Sequence, residues 1–149
     1  VDVIETPLPD LAATEQLAMR VASLARPGDA ILLAGPLGAG KTTFARAFLR
    51  AATGNPRLEV PSPSFTLVQS YDTSIGAVHH FDLWRLEGQA GVAELGWDEA
   101  RADVVLVEWP DRLGAEWPAD ALAITLTFGA GEARRATLAG WPDRIDRLA

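Results

Sequence analysis

The chain has 149 residues, 48% hydrophobic and 22% charged, proportions that suit one soluble globular domain with a substantial core. Twenty acidic side chains against thirteen basic ones give a net charge of −7, which argues against autonomous binding to a nucleic-acid backbone and leaves any link to RNA to a protein partner. With no cysteine, disulfides, thiol catalysis and zinc–thiolate sites are excluded.

Val1-Asp2-Val3-Ile4-Glu5 carries neither the basic nor the long apolar region of a secretion signal, and no stretch is long and apolar enough to cross a bilayer. The expected setting is the cytoplasm, without membrane association. Leu11 to Ala25 reads as an amphipathic helix, with Leu17, Val21 and Leu24 at core spacing and Asp10 as its N-cap. Pro27-Gly28-Asp29 then turns the chain into Ala30-Ile31-Leu32-Leu33-Ala34, a short apolar run that suits a strand buried on both faces.

The next eight residues, Gly35-Pro36-Leu37-Gly38-Ala39-Gly40-Lys41-Thr42, read G-x-x-x-x-G-K-T, the phosphate-binding loop pattern. Glycines there let the N–H groups from Gly38 through Ala39 and Gly40 turn inward and cradle an anion. Lys41 would set a compact charge on the outer phosphates of a bound nucleotide, and the Thr42 hydroxyl would reach Mg2+. Twelve of the thirteen basic residues are arginine and the one lysine is Lys41. A planar guanidinium is too wide to replace a small ammonium inside a tight anion cradle. Thr43 to Ala51 places Phe44, Phe48 and Ala51 on one helical face, and Gly54-Asn55-Pro56 stops that helix.

Val60-Pro61-Ser62-Pro63-Ser64-Phe65 reads as an ordered loop, since two close prolines suit neither a helix nor a central strand. Its hydroxyls at Ser62, Ser64 and Thr66 suit either ordinary turn chemistry or sensing of a terminal phosphate. Residues 66–71 and 77–83 read as two strands of a hairpin around a turn at 72–76, and residues 94–100 as a short helix. Val104-Val105-Leu106-Val107 is an apolar strand ending in Glu108, and residues 123–128 and 135–139 read as late strands joined through Gly129-Ala130-Gly131. Together these elements predict an α/β fold of the P-loop NTPase kind, a mixed β-sheet with helices on both faces, with residues 1–149 forming a single domain.

Carboxylates must complete such a site. Glu108, at the carboxyl end of an apolar strand, is placed to hold a metal ion directly or through water, or it simply ends the strand. Asp82 is placed to bind metal, orient a water or act as a base, or else to pair with Arg85. Alternation points His79 and His80 to opposite faces, and His80 is placed either to hydrogen-bond a phosphate or an acid or to serve a structural role. Of Trp84, Trp97 and Trp109, the first two read as core, and Trp109, directly after Glu108, reads as part of the site.

Five segments together, GPLGAGKTT (35–43), VPSPSFTLV (60–68), HHFDLWRL (79–86), ELG (94–96) and VEWPDRL (107–113), resemble the TsaE (YjeE) family of small bacterial P-loop ATPases. The resemblance implies an ATPase that, with ATP and Mg2+, supports formation of threonylcarbamoyladenosine beside the tRNA anticodon. It implies that the chain works through the partner proteins TsaB and TsaD, meeting tRNA only through that complex. It matches Lys41 and Thr42 to the P-loop pair, Thr43 to the following hydroxyl, Ser64 to the sensor position, and Asp82 and Glu108 to the family's two acids. Lys41, Asp82 and Glu108 are thus the expected catalytic residues; Thr42, Glu108 and Asp82 the expected metal ligands; and Trp109 an expected nucleotide-site residue. Three positions depart from the family pattern: Pro36 stands for an acid, Ser64 for Thr, and Trp84 for Tyr. Besides an ATPase, the residues leave open an ATP-gated assembly module with negligible turnover and a small-molecule P-loop kinase, although no acceptor-binding insertion or arginine-rich lid is evident. A GTPase is disfavoured because no N-K-x-D segment occurs.

Overall fold

The computed structural model describes residues 3–63, 65–86 and 90–149. In chain order it forms β1 (Val3–Leu8), α1 (Leu11–Leu24), β2 (Ala30–Ala34), α2 (Lys41–Thr53), β3 (Val68–Thr73) and β4 (Gly76–Asp82). Two short helices follow, α3 (Ala90–Glu94) and α4 (Trp97–Ala100), then β5 (Val104–Glu108), a 3-10 segment at Pro110–Glu116, β6 (Leu122–Phe128), β7 (Arg134–Ala139) and a final 3-10 turn at Ile145–Leu148. The strands make one mixed sheet in the order β1-β7-β6-β2-β5-β4-β3. Its four central strands β6, β2, β5 and β4 run parallel, and antiparallel pairs close both sides.

Burial on both faces explains why β2 and β5 read as unbroken apolar runs. Ile31 and Leu33 of β2, with Val104 and Leu106 of β5, pack on Leu17, Val21, Phe44 and Phe48 of α1 and α2. The alternate residues Ala30, Leu32, Val105 and Val107 share the opposite core with Phe81, Val92, Trp97 and Leu113. This two-residue alternation puts helices on both faces, as the composition of the strands predicts. Asp10 caps α1, its carboxylate accepting the Ala13 N–H at 2.9 Å. Among the described residues no helix is long and apolar enough to cross a membrane.

Parallel pairing brings the carboxyl ends of β2, β5 and β4 to one edge. Leu33 pairs with Glu108, and Glu108 with Asp82. The turn out of β2 enters the Gly-rich loop, so the loop and both acids lie at the edge where open α/β sheets bind ligands.

Several elements differ from expectation. β1 is an unpredicted edge strand: its alternation is weak and it contains Pro7, which the edge of a sheet tolerates. The hairpin forms, but β3 begins at Val68 because Leu67 adopts a left-handed conformation (φ 67°), which takes residues 66–67 out of the ladder. The helix expected at 94–100 is two short ones, broken at Gly96 (φ 78°). Trp97 is core, but Trp84 is not: its side chain is 45% exposed.

Candidate functional site

The Gly-rich loop closes on itself through Lys41. Its ammonium, buried at the first position of α2, donates to the carbonyl oxygens of Gly35 (2.6 Å) and Pro36 (2.9 Å) and lies 4.0 Å from the centre of the Trp109 ring. Burial pushes the Lys41 ammonium below the ordinary lysine value, and the facing carboxylates of Glu108 and Asp82 oppose that shift. Pro36 contributes only a carbonyl, accepting from both Lys41 and the Ala39 N–H, so its missing N–H leaves the later amides of the loop untouched.

Glu108 is almost fully buried and has both oxygens engaged. The Thr42 hydroxyl donates to its Oε1 (3.0 Å), and His80 Nε2 lies 2.7 Å from its Oε2. Asp82, also buried, accepts the Ser62 hydroxyl (3.3 Å) on one oxygen and the Trp84 N–H (3.1 Å) on the other. Among the described residues no ion pair joins Asp82 to Arg85, whose guanidinium instead stands 5.1 Å over the Phe65 ring. The loop before β3 is tied to the same acid through the backbone as well, because the Asp82 N–H donates to the Leu67 carbonyl.

Trp109 is held at φ 58° and ψ 54°, sparsely populated for a bulky residue. That turn lays its ring beside Lys41, with Trp84 against it at 4.4 Å between centroids. The indole of Trp84, where a tyrosine was expected, therefore lengthens an aromatic wall at the mouth of the site. Ser64 lies outside the described residues.

The expected residues Gly38, Gly40, Lys41, Thr42, Thr43, Asp82, Glu108 and Trp109 line a cleft of about 320 Å3, with Ser62 and Trp84. Ala39 faces a second cleft of about 310 Å3, on the other side of the loop, shared with Gly38, Gly40 and Thr43. Its far wall holds Asp10, read from the sequence only as a helix cap, and Thr14, Glu132 and Arg134, which did not stand out there. The Arg134 guanidinium stacks 5.0 Å over the Phe128 ring and reaches the Gly38 carbonyl (3.5 Å). This second wall depends on β6 lying beside β2, a pairing between distant segments that no local motif announces.

The donor set can be compared with what a magnesium ion requires. Thr42 and Glu108 present hard oxygen donors side by side, with Asp82 opposite Glu108 on the next strand. No group of three or more His, Asp and Glu converges among the described residues. A divalent cation here would draw its remaining ligands from phosphate oxygens and water, the manner in which Mg2+ is ordinarily held.

A Gly-rich loop between a central parallel strand and its helix, with an acid at the end of the neighbouring strand, defines an α/β protein of the P-loop NTPase fold. The family model described as threonylcarbamoyl adenosine biosynthesis protein TsaE matches residues 8–137, and the chain belongs to that family. The tRNA threonylcarbamoyladenosine biosynthesis protein TsaE of Bacillus subtilis is 34% identical over 137 residues, covering 91% of this chain and 84% of that protein. Its namesake in Rickettsia felis is 39% identical over 99 residues, 66% of this chain and 57% of the relative, so the match spans little more than half the relative's length. The Aquifex aeolicus protein of the same name is 39% identical over 100 residues, 66% of this chain and 71% of its own. The crystal structure of Bacillus subtilis YdiB superposes with a TM-score of 0.77 at 27% identity, covering 98% of this chain and 90% of that one.

Proposed function

We propose that the chain binds ATP with Mg2+ and hydrolyses it to ADP and phosphate, in support of threonylcarbamoyladenosine formation on tRNA through a TsaB–TsaD complex. The observation that carries the reading is the convergence of Lys41, Thr42, Glu108 and Asp82, from three separate segments, on one cleft beside the Gly-rich loop. The pathway follows from family membership, and an acidic chain that reaches RNA through protein partners agrees with the net charge of −7.

Phosphate oxygens carry more charge than the two neutral carbonyls that now accept from Lys41, so they would draw its ammonium into the cradle. The Trp109 ring and the burial of Lys41 keep water from competing for that charge. Thr42 and Glu108 would hold Mg2+, which when bound neutralises the phosphate oxygens. Asp82, fixed by Ser62 and the Trp84 N–H, is placed to orient or deprotonate an attacking water. The second cleft, with Arg134 on its wall, offers the nucleoside half of ATP a cationic face.

Phosphate release by the chain alone and with TsaB–TsaD tests the reading, for the wild type, Lys41→Ala and Glu108→Ala. Slow turnover alone, faster turnover with partners and strong loss in both variants are expected. Partner binding that requires ATP without any phosphate release would replace the enzyme by an ATP-gated assembly module.

A further inference from the structure

We infer that His80 is a positioning residue for Glu108: its ring commits Oε2 to the core, so that Glu108 faces Thr42 and the nucleotide through Oε1 alone. The inference rests on the proposed ATP–Mg2+ site and assigns a role to a buried histidine that this site does not otherwise use.

His80 and Glu108 lie on neighbouring parallel strands, displaced by two residues in register, since His80 pairs with Leu106 and Asp82 with Glu108. Residues 78, 80 and 82 share the face of the sheet toward α2, as do 104, 106 and 108. The diagonal between such positions is spanned by long side chains, and here His80 Nε2 and Glu108 Oε2 meet at 2.7 Å. His80 is fully buried, and its Nδ1 has no hydrogen-bond partner among the described residues.

The hydrogen-bond pattern places a hydrogen on Nε2, because a carboxylate oxygen accepts and does not donate. A ring with its hydrogen on Nδ1 alone would turn the Nε2 lone pair against a carboxylate. Glu108 thus receives two donors from opposite sides, Thr42 on Oε1 and His80 on Oε2. When Thr42 turns to a cation, His80 still fixes the rotamer. Without His80, Glu108 can rotate toward Lys41 or present both oxygens to the cleft. A buried partner that orients a ligand in this way is worth about 10- to 100-fold in metal affinity or activity.

The test compares His80→Gln, whose amide N–H reaches about as far as Nε2, with His80→Asn, which is equally polar but too short to meet Oε2. Affinity for a fluorescent N-methylanthraniloyl-ATP is measured in EDTA and in Mg2+, with kcat and KM where turnover occurs, and folding is checked by circular dichroism. His80→Asn should bind the metal-free nucleotide as the wild type does, lose the gain in affinity given by Mg2+, and drop kcat/KM about tenfold or more. His80→Gln should restore most of both. Heteronuclear NMR of the nucleotide-free wild type should show the His80 hydrogen on Nε2, assigned against a His79 variant.

Equal behaviour of the Gln and Asn variants, or an Nε2 without a hydrogen, overturns the inference. If the wild type releases no phosphate even with partners, the ATPase reading fails by itself, and the Mg2+ dependence of nucleotide affinity still decides the role of His80.

Discussion

Asp82 and Glu108 are register partners at the carboxyl ends of β4 and β5, yet their carboxylates serve different neighbours. Glu108 is held by Thr42 and His80, whereas Asp82 is held by Ser62 and the Trp84 N–H. On the proposed reading, sharing the P-loop hydroxyl would make Glu108 the metal carboxylate, and its absence from Asp82 would leave that acid for the attacking water. Glu108→Gln should therefore raise the Mg2+ concentration that half-saturates nucleotide binding. Asp82→Asn should leave that concentration unchanged and lower kcat by about 10²–10⁴, the usual worth of a general base. A magnesium titration of nucleotide affinity beside single-turnover phosphate release separates the two. An Asp82→Asn variant whose Mg2+ requirement rises as that of Glu108→Gln does would make both acids ligands.

Lys41→Arg keeps the charge and should still fail. The ammonium fits a space bounded by two loop carbonyls and the Trp109 ring, with little solvent around it. A guanidinium is flat and wide, and its fork cannot place one donor where Nζ stands without displacing Trp109 or the loop. Losing one or two charge-assisted hydrogen bonds to phosphate costs about 3 kcal/mol, roughly a hundredfold in affinity. Equilibrium binding of ATP checks this, and an Arg variant within threefold of the wild type would refute the size argument. Twelve arginines elsewhere against one lysine here are the sequence counterpart of that constraint.

How much of the site is written locally differs from residue to residue. The strand, loop and helix around Lys41 are contiguous, so their geometry follows from glycine spacing and burial, and the structure places them as read. Glu108 was reachable because an apolar run must end at the sheet edge. His80 appeared only as a side chain in reach of an acid or a phosphate; its choice of Glu108 needs the β4–β5 register, which is a long-range fact. Trp84 misled because large aromatics are usually core, whereas this one lies half-exposed against the partly buried Trp109 ring at the cleft mouth. The second cleft, with Asp10, Thr14 and Arg134, was not legible at all, since three distant segments meet there only after β6 has paired with β2. β1 was missed for a related reason: its pairing depends on the open edge of β7 more than on its own alternation.

Gly35→Ala should cost at least about 3 kcal/mol of stability, through two independent effects. Its backbone sits at φ 140°, which L side chains rarely adopt, and an added Cβ would overlap the Leu126 carbonyl oxygen. Leu126 belongs to β6, so relief of the overlap must separate β6 from the loop that follows β2. Urea unfolding gives the loss. Because the Gly35 carbonyl also accepts from Lys41, ATP affinity of the folded fraction should fall as well. A variant that unfolds like the wild type would show that the loop can move away from β6 freely.

Arg144 offers the opposite case, a buried charge that supports the fold and stands apart from the chemistry. Its guanidinium makes a two-pronged pair with Asp29 (2.7 and 2.9 Å), donates to the Leu24 carbonyl (2.8 Å) and stacks 3.9 Å from the Trp141 ring. The hydrogen bond to Asp29 holds its already high pKa further up, against the opposing effect of burial. Asp29 in turn accepts the Arg26 N–H, so one residue of the C-terminal segment fastens the end of α1 to the turn that enters β2. Arg144→Met strands a carboxylate and a helix-end carbonyl, and should cost about 3–5 kcal/mol. Pairing it with Asp29→Asn removes the stranded charge, so the double variant should be more stable than the sum of the single losses, by a margin that a double-mutant cycle reads directly. Neither residue lines either cleft at the Gly-rich loop. ATP affinity below the unfolding transition should therefore be unchanged, and a parallel loss of affinity would mean that the entry into β2 transmits its strain to the phosphate cradle.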